Sequence, residues 1–153
     1  FVKHDIKVVF SGRKEPLSDE VYDTMKQIEK NTKDCKKGVF NFCINYGGQA
    51  EIVDTTKKIV ELVKENKLDI NDLTTENYYN YLYNDLPPID LYIRTSGEYR
   101  ISNFMLYQLM YAELYFDQTY FPDYTPEMLD KVIDNFYNRN RRFGGYNEKK
   151  TNS

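Results

Sequence analysis

Arginine is concentrated in two short stretches of this chain. Five of its six arginines lie there, Arg94 and Arg100 in IRTSGEYRISNF and Arg139, Arg141 and Arg142 in NRNRRFGG. A guanidinium group presents a planar fork of donors that binds phosphate oxygens in pairs, whereas lysine supplies a point charge. Both stretches also contain glycine and adjoin predicted helix ends, where backbone N–H groups bind anions. The arginine pattern therefore predicts recognition of a phosphate-bearing ligand.

The residues after Arg94 add further oxyanion donors. Ser96 and Ser102 supply hydroxyl groups, and Ser102 is also a predicted N-cap, whose helix would offer its first N–H groups. Together with the arginines, these groups predict a site for one diphosphate. The alternative is that Ser102 only caps a helix and that the arginines pair with Asp90 or Glu98.

Glu113 is a second candidate site residue. It follows the apolar segment LYQLMYA and precedes the apolar LYF. A carboxylate in such surroundings needs a partner. A divalent cation that also binds diphosphate would supply one, because Mg²⁺ is usually held by one or two carboxylates and phosphate oxygens. An internal ion pair with Arg94 or Arg100 would satisfy the carboxylate equally well.

Composition excludes several classes of protein. The chain has 153 residues, a length that suits one globular domain. Its net charge is −3, so it lacks the excess of positive charge that is typical of nucleic-acid-binding proteins. Its two cysteines, Cys35 and Cys43, and its single histidine, His4, cannot build a zinc site. Unpaired cysteines fit a reducing compartment. No apolar run approaches the roughly 20 residues of a membrane span.

The pattern of apolar residues predicts strands alternating with helices. The predicted strands are residues 6–10, 38–45, 90–94 and 114–116. The predicted helices are residues 18–32, 49–67 and 102–111, a short NYYNYL helix, and a last helix capped by Thr125. This order predicts an α/β fold, a mostly parallel sheet flanked by helices. Because such sheets bind ligands at the carboxyl ends of their strands, residues 46–48 and 94–97 should face a ligand.

Four motifs in this order resemble those of the cis-prenyltransferases, the family of undecaprenyl and dehydrodolichyl diphosphate synthases. They are NYGGQAEIVDTTKKI, DLYIRTSGEYRISNFMLYQLMYAELYF, FPDY and NRNRRFGG. The resemblance extends from about Ile6 to Gly145. It implies that residues 1–145 are the C-terminal portion of a single cis-prenyltransferase domain, with the N-terminal part of the fold missing, and that residues 146–153 form a polar tail.

The resemblance implies an activity and a set of site residues. The family condenses isopentenyl diphosphate onto an allylic diphosphate such as farnesyl diphosphate, and each new double bond is cis. Carried over by position, Arg94, Arg100 and Ser102 would hold the isopentenyl diphosphate, with the Ile101 backbone beside them. Glu113 would contribute to a Mg²⁺ site.

The resemblance also implies a dimer. The NRNRRFGG segment resembles one that reaches across the family's dimer interface, so Arg142, Gly144 and Gly145 would approach the phosphates of the partner subunit. The alternative is a basic helix C-terminus followed by a glycine cap. A homodimer is expected, and association with membranes would follow from a lipid product.

An apolar strand is a candidate lining for the product tunnel. Val39, Phe40, Phe42 and Ile44 could line or floor a tunnel that shelters the growing chain. Their alternative role is ordinary sheet core.

The chain departs from the family pattern in one respect. The family carries an Asp-Gly-Asn-Gly-Arg-Trp type motif, which binds Mg²⁺ and the allylic diphosphate, and a separate catalytic asparagine. Neither is found in these 153 residues. We therefore expect the chain to hold the isopentenyl diphosphate half of the site, to contain no catalytic residue of its own, and to be inactive alone.

Two further functions are weighed against synthase activity. One is a non-catalytic accessory subunit of a heteromeric cis-prenyltransferase, but such subunits usually lose the substrate-binding positions that this chain retains. The other is a nucleic-acid module that stacks bases on tyrosine, which the acidic net charge disfavours. The expected location is the cytoplasm or the surface of the endoplasmic reticulum membrane.

Overall fold

Strands and helices alternate along the part of the chain that the computed structural model describes, residues 1–139. This part divides into two units. The first contains residues 1–87 and 102–107, and the second contains residues 88–101 and continues from residue 108. None of the helices within residues 1–139 has the length and apolar composition of a membrane span.

The first unit is built on a pair of parallel strands. Strand β1 (Ile6–Ser11) pairs with strand β2 (Gly38–Cys43), with Ile6 opposite Gly38 and Ser11 opposite Cys43. Helix α1 (Asp19–Thr32) joins them and packs on β1, as a crossover between parallel strands requires. The Ser18 side chain accepts a hydrogen bond from the N–H of Val21 and so caps α1 as predicted.

Side chains form hydrogen bonds with the backbone groups of β1 on the edge that faces away from β2. The N–H of Val8, which is fully buried, donates to Thr32 Oγ1 at 3.0 Å, and the N–H of Phe10 donates to Glu29 Oε1 at 3.1 Å. The carbonyl of Phe10 accepts from Asn84 Nδ2 at 2.9 Å. Because buried backbone groups must be paired, these three side chains close an edge that would otherwise offer a template for another strand.

A glycine at the start of helix α2 (Gly48–Lys64) allows a close approach of two backbone segments. The N–H of Gly48 donates to the carbonyl of Asn103 at 2.7 Å, and the N–H of Gln49 donates to Asn103 Oδ1 at 2.9 Å. A Cβ atom at residue 48 would lie 2.7 Å from Leu106 Cγ and 2.9 Å from Leu106 N. Any larger residue would therefore push residues 102–107 away from α2.

The second unit is built on another parallel pair. Strand β3 (Leu91–Arg94) pairs with strand β4 (Glu113–Phe116), with Leu91 opposite Glu113 and Arg94 opposite Phe116. Helix α3 (Pro126–Tyr137) follows β4. Thr125 caps α3 by accepting from the N–H of Met128, with Pro126 in the first turn, as predicted. Val132, at 3% exposure, is the buried residue of α3.

The α/β class and the parallel strand pairing are confirmed, and the strands lie in two separate pairs. The NYYNYL segment forms a 3₁₀ helix, Tyr78–Tyr81. Further short 3₁₀ turns lie at Val2–His4, Ile70–Asp72 and Phe121–Asp123.

The predicted helix over residues 102–111 is wrong. The segment forms a series of turns, and Ser102, Asn103 and Met105 have φ values of 46°, 61° and 42°. A right-handed helix cannot contain such residues. Asn103 instead bonds to the start of α2 through its backbone carbonyl and its side chain, and these tertiary bonds outweigh the local helical preference. Ser102 therefore caps no helix.

Replacement of Thr32 by valine tests the side-chain closure of β1. Thr32→Val removes the acceptor of the buried Val8 N–H, and we expect a loss of about 1–3 kcal/mol in the free energy of unfolding, the usual cost of an unsatisfied buried donor. Urea titration measures it. Thr24→Val is the matched control, because Thr24 makes the same bond to the carbonyl four residues earlier but is exposed. Equal losses in the two variants would contradict the proposed role of Thr32.

Candidate functional site

Polar side chains gather at the carboxyl ends of β1 and β2, in the first unit. Ser11, the last residue of β1, is 1% exposed and donates to Asn41 Oδ1 at 3.1 Å. Asn84 Nδ2 donates to Ser11 Oγ at 2.9 Å. Ligands of parallel sheets bind at the carboxyl ends of the strands. At this end of β1 and β2 the side chains are polar and form hydrogen bonds with one another.

Glu51 is the most buried carboxylate of this group, at 2% exposure. Tyr46 donates its hydroxyl to Glu51 Oε2 at 2.5 Å, and the backbone N–H of Tyr83 donates to Oε1 at 3.0 Å. Burial, followed by the hydrogen bond to Glu51, raises the pKa of Tyr46 well above its ordinary value. Tyr46 thus stays a neutral donor, and the NYGG segment is tied to α2 through a carboxylate shielded from water.

Asp54 lies one turn further along α2 and binds Arg13 through both of its oxygens. Arg13 Nε and Nη2 each lie 2.8 Å from a carboxylate oxygen, and the hydroxyl of Tyr83 donates to Asp54 Oδ2 at 2.6 Å. The hydrogen bond from Arg13 lowers the pKa of Asp54 to about 2. Burial and the bond to Asp54 raise the pKa of Tyr83 to about 12. Paired charge-assisted bonds of this kind fix both geometry and ionisation state.

Analysis of the sequence missed this cluster. Arg13 is the one arginine outside the two clusters, and its charge alone does not distinguish it from a solubilising residue. Its position directly after Gly12, at the end of a predicted strand, was the available signal. Gly12 has φ of +140°, and a Cβ there would lie 1.9 Å from the carbonyl oxygen of Ile44, so the chain can turn toward α2 only with glycine at this position.

The structure brings Arg94 and Arg100 together in the second unit. Arg94 ends β3, as predicted, and its Nη1 donates to the backbone carbonyl of Arg100 at 2.5 Å. The hydroxyl of Tyr92 donates to the same carbonyl at 3.3 Å. The Arg94 side chain thus holds the loop that carries Arg100.

The loop after Arg94 is also bonded to the segment that follows β4. The N–H of Gly97 donates to the carbonyl of Asp117 at 2.8 Å, and the N–H of Ser96 donates to the carbonyl of Thr119 at 2.9 Å. Ser96 and Gly97 both have φ of 69°, a conformation that favours glycine. Hydrogen bonds from the Arg94 side chain and to the segment after β4 therefore hold the loop in one conformation.

Arg100 forms an ion pair with Glu98, and its side chain is 63% exposed. This is one of the pairings weighed from the sequence. Such an exposed pair contributes little free energy, so a phosphate could replace the carboxylate at small cost. Ile101 follows in the same unit, whereas Ser102 opens the segment that belongs to the first unit. The predicted site residues are thus divided between the two units.

Glu113 lies at the opposite end of the strand pair from Arg94. It is the first residue of β4, and it lies three positions before Phe116, the partner of Arg94, which corresponds to about 10 Å along a strand. Its carboxylate pairs with Arg139, whose Nη1 lies 3.1 Å from Glu113 Oε2. Arg139 is also held by Asn135 at 2.8 Å. The internal partner is thus Arg139, rather than Arg94 or Arg100.

No group of three carboxylate, histidine or cysteine ligands exists within residues 1–139. One carboxylate with phosphate oxygens is a ligand set that suits Mg²⁺, and the Glu113 side chain is 31% exposed and accessible to it. Arg142, Gly144 and Gly145, the predicted cross-dimer residues, lie outside the described residues.

Comparison with known proteins gives consistent matches. The family model Prenyltransf, which describes undecaprenyl diphosphate synthases, matches residues 1–144. An isoprenyl transferase of Fusobacterium nucleatum is 42% identical over 144 residues, which cover 94% of this chain and 60% of the relative. The Legionella pneumophila ditrans,polycis-undecaprenyl-diphosphate synthase, specific for (2E,6E)-farnesyl diphosphate, is 38% identical over 143 residues, covering 93% of this chain and 60% of that protein.

A solved structure matches as well. Lavandulyl diphosphate synthase from Lavandula x intermedia, in complex with dimethylallyl diphosphate, superposes with a TM-score of 0.85 at 31% identity, covering 93% of this chain and 61% of that chain. The chain spans about 60% of the length of the two curated relatives.

Acid titration of an Asp54→Asn variant tests the Arg13 cluster. Because the folded pKa of Asp54 is about 2 and its ordinary value is 3.8, the ionised carboxylate stabilises the fold above pH 3.8, and this stabilisation is lost as the pH falls toward 2. We expect the free energy of unfolding to fall less steeply over this range in Asp54→Asn than in the unmodified chain. Asp23→Asn, at an exposed position of α1, is the control. Parallel curves for Asp54→Asn and the unmodified chain would show that the pair does not stabilise the fold.

Proposed function

Because the chain belongs to the undecaprenyl diphosphate synthase family of prenyltransferases, we propose that it forms the isopentenyl diphosphate half of a cis-polyprenyl diphosphate synthase. The reaction joins isopentenyl diphosphate to an allylic diphosphate, with farnesyl diphosphate as the expected starter. One observation carries the proposal. The hydrogen bond of 2.5 Å from Arg94 Nη1 to the Arg100 carbonyl joins the last residue of β3 to the loop that carries Arg100.

Arg94 and Arg100 bind the diphosphate in this proposal. Arg100 exchanges the Glu98 carboxylate for phosphate oxygens, which an exposed ion pair permits. The Ile101 backbone and the Ser102 hydroxyl add neutral donors from the next two positions. Fixed donors favour the reaction because charge develops on the pyrophosphate that leaves the allylic substrate, and donors already in place need no reorganisation.

Glu113 is the proposed carboxylate ligand of Mg²⁺. When bound, this ion would neutralise charge on the diphosphate groups. Arg139 acts as the counterion of Glu113 until then, and it holds the carboxylate in place at the amino end of β4.

A homodimer completes the proposal. Arg142, Gly144 and Gly145 would contact phosphates bound by the partner subunit. A long lipid product would bring the dimer to a membrane surface, in the cytoplasm or at the endoplasmic reticulum. The family's allylic motif is not found in these 153 residues, so we expect them to bind isopentenyl diphosphate without condensing it.

Calorimetric titration with isopentenyl diphosphate tests the arginine roles. Arg100→Ala removes a charge-assisted bond, which is worth about 1.5–3 kcal/mol, so we expect Kd to rise roughly tenfold to a hundredfold. Arg94→Ala should weaken binding further, because Arg94 also holds the loop that carries Arg100. In an intact synthase, both changes should raise the Michaelis constant for isopentenyl diphosphate.

Two further variants serve as controls for this titration. Glu98→Gln releases Arg100 from its ion pair, so binding should be unchanged or tighter. Lys131→Ala removes an exposed cation of α3 and should have no effect. If Arg94→Ala and Arg100→Ala bind isopentenyl diphosphate as tightly as the unmodified chain, the assigned roles are wrong.

Magnesium dependence tests the role of Glu113. We expect Mg²⁺ to strengthen the binding of isopentenyl diphosphate to the unmodified chain by several-fold, and Glu113→Gln to abolish this gain because the amide is a poorer ligand. In an intact synthase, Glu113→Ala should chiefly impair Mg²⁺-dependent turnover. Asp130→Asn, on exposed α3, is the matched control. A full Mg²⁺ response in Glu113→Gln would remove Glu113 from the metal site.

A further inference from the structure

A groove in the first unit lies between α1 and the edge of β1 that faces away from β2. Its volume is about 470 Å³, within the roughly 300–1,000 Å³ of ligand pockets. Four lysines line it together with one glutamate, namely Lys7, Lys26, Lys30, Lys33 and Glu29. The side chains that line the groove therefore carry a net charge of +3, although the net charge of the whole chain is negative.

The one acidic residue of the groove is already neutralised. Glu29 Oε2 lies 2.8 Å from Lys26 Nζ, and its other oxygen accepts the N–H of Phe10 at 3.1 Å. Lys26 also lies over the ring of Tyr22 at 5.4 Å. Both carboxylate oxygens of Glu29 therefore already have a partner, and neither partner is one of the remaining lysines.

The other three lysines have no anionic partner in the described part of the chain. Lys7, Lys30 and Lys33 form no ion pair among residues 1–139. Lys30 and Lys33 lie at the C-terminal end of α1, where the helix dipole favours a cation. This explains two of the lysines but not Lys7, which comes from β1 and faces the same groove. Like charges that converge without a counterion repel one another, and a bound anion would offset the repulsion.

The floor of the groove excludes a peptide strand as its ligand. The backbone N–H groups of Val8 and Phe10 are already bonded to Thr32 and Glu29, and the carbonyl of Phe10 is bonded to Asn84. Strand addition requires such groups to be free. Recognition must therefore come from the lysine side chains, and a flexible ammonium group recognises charge rather than a fixed geometry.

We propose that Lys7, Lys30 and Lys33 form a second anion site, which binds a phosphate group carried either by a free polyphosphate or by a lipid headgroup. The three lysines belong to the first unit, whereas Arg94 and Arg100 belong to the second. The proposal does not depend on the proposed synthase function. The groove is shallow and open to solvent, so it can accept a small ion or lie against a charged surface.

The test uses the chain with Arg94→Ala and Arg100→Ala, which removes the proposed substrate site from the measurement. Inorganic pyrophosphate is titrated at low salt, and the groove variant adds Lys7→Gln, Lys30→Gln and Lys33→Gln. The control variant adds Lys3→Gln, Lys57→Gln and Lys131→Gln, three exposed lysines outside the groove that give the same change of net charge. We expect the groove variant to lose affinity by about tenfold or more and the control by less than about twofold.

Vesicles distinguish the two sources of phosphate. The same proteins are sedimented with vesicles of phosphatidylglycerol and of phosphatidylcholine. Pyrophosphate binding that the groove variant loses identifies a free-phosphate site, whereas groove-dependent binding to phosphatidylglycerol alone identifies a lipid site. Either should weaken steeply with salt, because the Debye length falls from about 30 Å at 0.01 M to about 3 Å at 1 M. If the groove and control variants behave alike with both probes, the proposal is overturned.

Discussion

Parallel pairing of strands is the constraint on which the arrangement of the polar residues depends. Neighbouring parallel strands end on the same side, so the loops after them meet. In the first unit this places the turn after β1 beside the NYGG segment after β2, and Arg13 and Tyr46 both contact carboxylates of α2. In the second unit the same rule places Arg94 and Glu113 at opposite ends of one pair. The strand register thus decides which site residues can act together.

Three carboxylates of the chain differ in their burial and in their hydrogen-bond partners. Glu51 is buried and is held by neutral donors from Tyr46 and Tyr83, which suits a structural tie between segments. Asp54 is partly exposed and shares two bonds with Arg13, which keeps it ionised. Glu113 is paired singly with Arg139 and is accessible. Asp54 and Glu113 have similar side-chain exposure, 28% and 31%. Glu113 has a single bond to its partner, whereas Asp54 has two to Arg13 and one from a tyrosine hydroxyl, so a change of partner costs least at Glu113.

Local sequence signals determined most of the elements correctly. Caps at Ser18 and Thr125 and breakers near residues 47–48 act within a few residues, so they can be read without knowledge of the rest of the chain. The helix predicted at residues 102–111 failed because Asn103 bonds to α2, a segment 54 residues distant in sequence. Apolar periodicity contains no information on such a partner.

The same limit applies to the site. The clustering of arginines drew attention to Arg94 and Arg100, and the Arg94 side chain does donate to the Arg100 carbonyl. Their role in binding stays a prediction. The clustering could not reveal that Arg13, alone in sequence, binds Asp54, or that Glu113 pairs with Arg139. Val39 and Phe40, for which sheet core was the alternative to a tunnel lining, are 52% and 47% exposed, so they are not core among residues 1–139. Pairings between distant residues require the fold itself.

The close packing of Gly48 against Leu106 has a consequence for how this protein can vary. Residues 102–107 form no helix or strand, so their backbone path is fixed by hydrogen bonds to the first turn of α2. A side chain gained at residue 48 would be tolerated only together with a compensating shift near Leu106. Substitutions at residue 48 and near residue 106 should therefore occur together. The irregular segment 102–107 can vary in sequence only as far as the absence of a side chain at Gly48 allows.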